Sequence, residues 1–189
     1  MTKFTLLSNT DNTSSNKGFM SISVNFDNYL SQNIDEVGLK TIHRFFITFS
    51  RFEFALKASI VYARQAGNYV EPNWDVFTNT IQANFHSAKN QELQDAVEYI
   101  LQHPPKKQSL ANGVIIWIDR VFVDNISDVK KLDIHIRDIR NNLFHGSKFN
   151  GSFQPDVSRD FTLLQSSLII LDEWLNLEPN VAHVFSQPV

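Results

Sequence analysis

The sequence predicts an all-α protein, an antiparallel bundle of about five to six helices, with a small N-terminal β-hairpin compatible with its first residues. Three observations carry that expectation. Long segments repeat apolar residues at spacings of three and four, the period of one helix face. Proline, glycine and capping residues fall between these segments, where helices would end. Sixteen phenylalanines in 189 residues point to a core filled by large rings.

Residues 1–33 differ from the rest. Asn9 to Gly18 is a cluster of polar turn formers, preceded by Phe4-Thr5-Leu6-Leu7. After it, Met20, Ile22, Val24 and Phe26 alternate with Ser21, Ser23 and Asn25, which suits a half-buried strand. From Ile34 the period changes. Ile42, Phe45, Phe49, Phe52, Leu56 and Ile60 form one stripe, predicting a long helix that ends near Gly67. Pro72 breaks it, Asn73 is a candidate cap, and a second helix is expected from Trp74 to about Phe85. A short acidic helix follows over Gln91 to Gln102, stopped by His103-Pro104-Pro105. Pro104 to Gln108 reads as an exposed basic loop.

Asn112-Gly113 precedes an apolar run from Val114 to about Asp124, whose length and neighbours favour a helix over a buried strand. Ser127 is a good N-cap for the next helix, where Leu132, Ile136, Ile139 and Leu143 make the stripe and Gly146 the end. Phe161, Leu164, Leu168, Leu171 and Leu175 mark a last helix that stops before Pro179. The expected organisation is a polar N-terminal segment (1–33), a helical domain (34–178) and a short extended tail (179–189).

Composition excludes several classes. The chain has no cysteine, which removes disulfide scaffolds and thiolate chemistry. No apolar run is long enough to cross a membrane. The N-terminus is too weakly apolar for a signal peptide, so a cytoplasmic protein is expected. The histidines show no metal-ligand spacing, and there is no glycine-rich phosphate loop or nucleophile elbow, so neither metal nor cofactor is expected.

The stretch Arg140-Asn141-Asn142-Leu143-Phe144-His145-Gly146 stands apart, because the apolar stripe gives no reason for its polar residues. A near-neutral imidazole can take a proton from a ribose hydroxyl or give one to a leaving oxygen. A guanidinium can hold a phosphate by two parallel hydrogen bonds and stabilise the charge of the transition state. With the RNA 2′-OH as nucleophile, no metal is needed, and DNA is excluded as substrate. Asn141 and His145 share a helix face, whereas Arg140 and His145 lie about 140° apart on an ideal helix. The same residues can equally be ordinary helix-end chemistry, satisfying carbonyls and the dipole.

Charge around the motif is locally positive although the chain carries −3 overall. Lys130, Lys131, Arg137, Arg140 and Lys148 outnumber Asp133 and Asp138, and the first long helix adds Lys40, Arg44, Arg51, Lys57 and Arg64. Arg44, Arg51, Arg137, Asn142 and Lys148 are therefore candidate substrate contacts, provided the two helices pack into a basic strip.

Arg140, Asn141 and His145, with Leu143 and Phe144 as apolar filler, resemble the motif of HEPN-domain proteins: arginine, a polar residue, a few variable positions, then histidine. Arg51 to Lys57 is similar to the first long helix of larger bacterial members, and the resemblance spans roughly residues 34–178. It implies a metal-independent endoribonuclease of toxin or antiviral type, with Arg140, Asn141 and His145 as catalytic residues. It also implies a homodimer in which arginine and histidine from two chains meet in a shared cleft, and an antitoxin or other regulatory protein as partner. Some members of that family are non-catalytic interaction or nucleotide-binding modules, which is the alternative reading.

Overall fold

The computed structural model describes Gln32, residues 34–144 and residues 157–188. The chain divides into residues 1–35 and a compact unit of residues 36–189. The expected N-terminal hairpin lies outside the described residues. The described part of the larger unit holds six α-helices and two antiparallel hairpins. They are α1 (Glu36–Ala58), β1 (Ala63–Ala66), β2 (Tyr69–Pro72), α2 (Trp74–Ile81) and α3 (Gln91–Gln102), then β3 (Lys107–Ala111), β4 (Val114–Ile118), α4 (Asp128–Phe144), α5 (Val157–Leu177) and α6 (Pro179–Ser186). The helical bundle expected from the stripes is present.

α5 is its centre. Leu163, Leu164, Leu168, Ile170, Leu171 and Trp174 are buried on several sides of the helix, as they must be when neighbours surround it. α1 and α3 pack along it, and α6 folds back against α1. The α1 stripe places Phe45, Phe49, Phe52 and Leu56 in the core. Phe52 stacks on Trp74 at 5.8 Å and 3°, and Phe77 meets Phe52 edge-on at 5.3 Å and Trp174 at 5.9 Å. Aromatic pairs in these offset and edge-to-face geometries add about 0.5–1.5 kcal/mol each beyond area burial.

Local capping fixes the helix starts. Asn73 Oδ1 accepts from the Val76 amide at 3.2 Å, Asn90 Oδ1 from Leu93 at 2.8 Å and Ser127 Oγ from Lys130 at 3.3 Å. Among the described residues no helix is long and apolar enough to cross a membrane.

Several expectations are corrected. α1 ends at Ala58, not near Gly67, and Ile60 is 98% exposed, so its place in the stripe is a coincidence of spacing. The chain instead turns through β1 and β2 around Gly67-Asn68, where Gly67 takes φ +61°. α2 stops at Ile81 rather than about Phe85. The Val114 run is strand β4, not a helix: Asn112 and Gly113 both adopt positive φ, 52° and 77°, the two-residue turn that joins β3 to β4. Lys107 and Gln108 belong to β3, and Pro105 is buried, so the basic loop is shorter than expected. The tail is helical, with Pro179 opening α6 and Val181 buried against the bundle.

Candidate functional site

α4 presents three faces to three environments. Leu132, Ile136 and Ile139 enter the core. Arg137, Arg140 and Asn141, at helical spacing, line an open cleft of about 300 Å³. The opposite wall comes from Glu53 of α1 and from Arg64 and Glu71 of the first hairpin, and Phe49 and Trp74 contribute aromatic surface.

The side chains there are interlocked. Arg140 donates from Nη1 to Asn141 Oδ1 at 3.0 Å, its Nη2 lies 3.8 Å from Glu53 Oε2, and its guanidinium sits 5.7 Å over the Phe49 ring. Arg137 lies 5.8 Å over Trp74 and reaches Asp133 at 3.5 Å. Arg64 pairs with Glu71, its registered partner across the hairpin, at 2.9 Å. Each of the three guanidiniums thus has a carboxylate within 4.0 Å: Arg140 has Glu53, Arg64 has Glu71 and Arg137 has Asp133. Arg140 over Phe49 and Arg137 over Trp74 each place a cation near a ring face, which the ring quadrupole favours.

The third face of α4 carries the polar residues that the β3–β4 hairpin and the strap after it cover. Asn142 is buried and donates to the Lys106 carbonyl at 2.8 Å. It lines a different cavity, of about 360 Å³, beside Trp117, Ile139, Arg159 and Asp160. Asp138 is buried and held by a bidentate contact with Arg120, Nη2 to Oδ1 at 2.7 Å. His135 is buried edge-on against Phe122 at 5.2 Å, and burial pushes its pKa down to about 4. Asp133 is fully buried on the other side of the helix, beside Arg137 and Lys130; desolvation shifts it upward and those two cations oppose the shift.

Of the sequence-predicted residues, the fold brings Arg137, Arg140 and Asn141 together. It separates Asn142, which is turned about 100° away from Asn141 and is committed to the backbone of residue 106. Arg44 lies 3.7 Å from Asp172 of α5. Arg51 is engaged at the end of α6, donating to the carbonyls of Val184, Phe185 and Gln187 at 3.1, 2.8 and 2.7 Å. The continuous basic strip expected along α1 and α4 does not form from these side chains. His145 and Lys148 lie outside the described residues. Glu53 and Glu71 were not anticipated at the site, and Arg64, expected in the basic strip of the first long helix, reaches it from β1. Only the Gly67-Asn68 turn signal, read as a hairpin, could have brought β1 and β2, and with them Arg64 and Glu71, into consideration.

Among the described residues no three His, Asp or Glu side chains gather in a metal-binding arrangement. Searches of family models, curated proteins and solved structures return no match to this chain.

Proposed function

We propose that the chain is a metal-independent endoribonuclease of toxin or antiviral-defence type, working as a homodimer on RNA and restrained by a regulatory partner protein. The observation that carries this reading is the cleft itself: Arg140 and Asn141 of the HEPN-like motif open onto it beside Arg64 and Arg137. In the proposed reaction, His145 removes the proton of the ribose 2′-OH, and the 2′ oxygen attacks the adjacent phosphorus. The new 2′-O–P bond forms as the P–O5′ bond breaks, leaving a 2′,3′-cyclic phosphate and a 5′-OH that receives a proton from an imidazolium. Arg140 neutralises the charge on the phosphoryl oxygens, and Asn141 holds the guanidinium or donates to phosphate.

A second reading, a non-catalytic interaction module, is favoured by a different observation, the exposed apolar surface of the β3–β4 hairpin. One experiment separates them. Purified protein is incubated with a mixed single-stranded and structured RNA in EDTA, beside Arg140→Ala and His145→Ala. Cleavage that survives the chelator and disappears in both variants supports the nuclease. Equal cleavage by all three proteins, or none by any, rejects it.

A further inference from the structure

We propose that Asp133 is a positioning residue of the cleft, one that holds Arg137 ready to take a second phosphate of the bound RNA, beside the phosphate at Arg140. The inference rests on the endoribonuclease reading above. It begins from a carboxylate that the fold does not explain. In α4, Leu132, Ile136 and Ile139 make the apolar stripe, and Asp133 follows Leu132 into the interior with 0% exposure. Its Oδ2 meets Lys130 Nζ at 2.8 Å and Arg137 Nη1 at 3.5 Å. Its Oδ1 is buried with no hydrogen-bond partner among the described residues. A buried ion pair is weak support for a fold even when every lone pair is used, and here one oxygen is not. Stability alone gives no reason for a carboxylate at this position.

The two cations stand in different relations to it. Lys130 is the closer, is itself mostly covered, and continues at 2.5 Å to Asp75 of α2, so it supplies the charge that Asp133 needs. Arg137, one turn further along α4, lies at longer range, where the carboxylate directs the guanidinium without consuming it. The Trp74 ring, 5.8 Å from the same guanidinium, is a second constraint. Among the described residues Arg137 donates from Nη1 alone, which leaves Nε and Nη2 for a ligand, and its side chain lines the cleft with Arg64 and Arg140. Nε and Nη2 are adjacent parallel donors, the kind of pair with which a guanidinium grips a phosphate.

Arg137 and Arg140 are three residues apart, neighbours on one helix face with Cβ atoms about 5–6 Å from each other. Two guanidiniums so placed serve two phosphates of one strand, Arg140 the scissile one and Arg137 the next. Asp133→Asn removes a negative charge beside the cleft, which by itself would leave a polyanion bound equally or more tightly. Lost positioning weakens it instead, so the two effects differ in sign.

The test is fluorescence anisotropy with a labelled single-stranded 2′-O-methyl oligonucleotide, which cannot be cut through its own 2′ oxygen. Wild type is compared with Arg140→Ala, Arg137→Ala, Asp133→Asn and the double variant of the last two, each checked for folding by circular dichroism. Asp133→Asn should weaken binding several-fold. Arg137→Ala should weaken it at least as much and flatten the slope of log K against log salt by about 0.7, the loss of one phosphate contact on a single strand. Adding Asp133→Asn to Arg137→Ala should change nothing further, whereas a merely structural role would cost the same in both backgrounds. Arg137→Lys, which keeps the charge but loses the paired donors, should also bind several-fold more weakly, and it carries the test if Asp133→Asn does not fold. Binding by Asp133→Asn as tight as wild type or tighter, an equal loss with and without Arg137, or full binding by Arg137→Lys would overturn the positioning role alone. No binding by wild type, or binding indifferent to Arg140→Ala, would overturn the endoribonuclease reading and the positioning role with it.

Discussion

His135 makes the stability of this fold depend on pH, and the size of the effect follows from its surroundings. The imidazole is only 3% exposed, rests edge-on against Phe122, and its Nδ1 has no hydrogen-bond partner among the described residues. Burial drives its pKa to about 4; Asp138 opposes the shift, and Arg120 and Lys131 reinforce it. In the unfolded chain the group titrates near 6.5. Between those values the unfolded state holds a proton that the native state does not, so stability rises with pH and is lost as pH falls from about 6.5 toward 4. At about 1.4 kcal/mol per pH unit, the loss between about pH 7.5 and pH 5 is roughly 2 kcal/mol. His135→Leu should abolish this contribution, because no donor or acceptor loses a partner and Asp138 keeps Arg120. Urea unfolding, followed through the buried Trp74 and Trp174, measures both proteins at both pH values. Shifts shared by the two, such as Asp75 held low by Lys130 and Asp172 raised by burial, cancel in the difference. The variant should gain roughly 2 kcal/mol on wild type between neutral and acidic pH. Stability curves that stay parallel would refute a neutral buried His135.

Three other outcomes are expected. Arg51→Met strips the α6 carbonyls of their donor and should cost about 1.5–3 kcal/mol in thermal or urea unfolding; an unchanged midpoint with weakened RNA binding would return Arg51 to a substrate role. Phe77→Ala removes a fully buried ring that touches Phe52, Tyr62 and Trp174, and should destabilise by about 3–5 kcal/mol, read by the same unfolding assay. Glu53→Gln takes away the carboxylate that competes with phosphate for Arg140 and should tighten RNA binding several-fold at low salt, measured by fluorescence anisotropy; weaker or unchanged binding would mean that Arg140 does not meet the backbone.

What could be read from the sequence was set by how local each signal is. α3, α4 and α5 declare themselves because their stripes and stops are complete within a single segment. α1 was overextended because Ile60 happens to continue its spacing, although the chain has already left the helix after Ala58. β4 was mistaken for a helix because five consecutive apolar residues have no period; the decisive mark was Asn112-Gly113, a turn whose two positive φ angles only such residues accept readily. At the cleft, Arg140 and Asn141 were legible as polar residues that an apolar stripe does not explain. Glu53 and Glu71 were not, and Arg64 was read onto the helix rather than the hairpin, because hairpin and helix meet there through tertiary packing that no local pattern encodes.

The polar residues of α4 have a further logic that only the fold reveals. Asp138 and Asn142 alternate along the helix with Arg137, Arg140 and Asn141, yet they are buried while Asn141 is exposed. On the covered face Arg120 meets Asp138, the residue 106 carbonyl accepts from Asn142 and the Phe122 ring packs on His135, while the buried Asp133 is held instead by Lys130 and Arg137. Left without those partners, Asp138 and Asn142 would each cost more to bury than an apolar residue would. The helix that carries the Arg-Asn pair and the segment from residue 106 to Phe122 thus pack as one unit, since polar groups buried on the helix are satisfied by that segment. The charge within α4 separates into an open face directed to the cleft and a covered face that holds the hairpin in place, and successive residues such as Asn141 and Asn142 serve different faces.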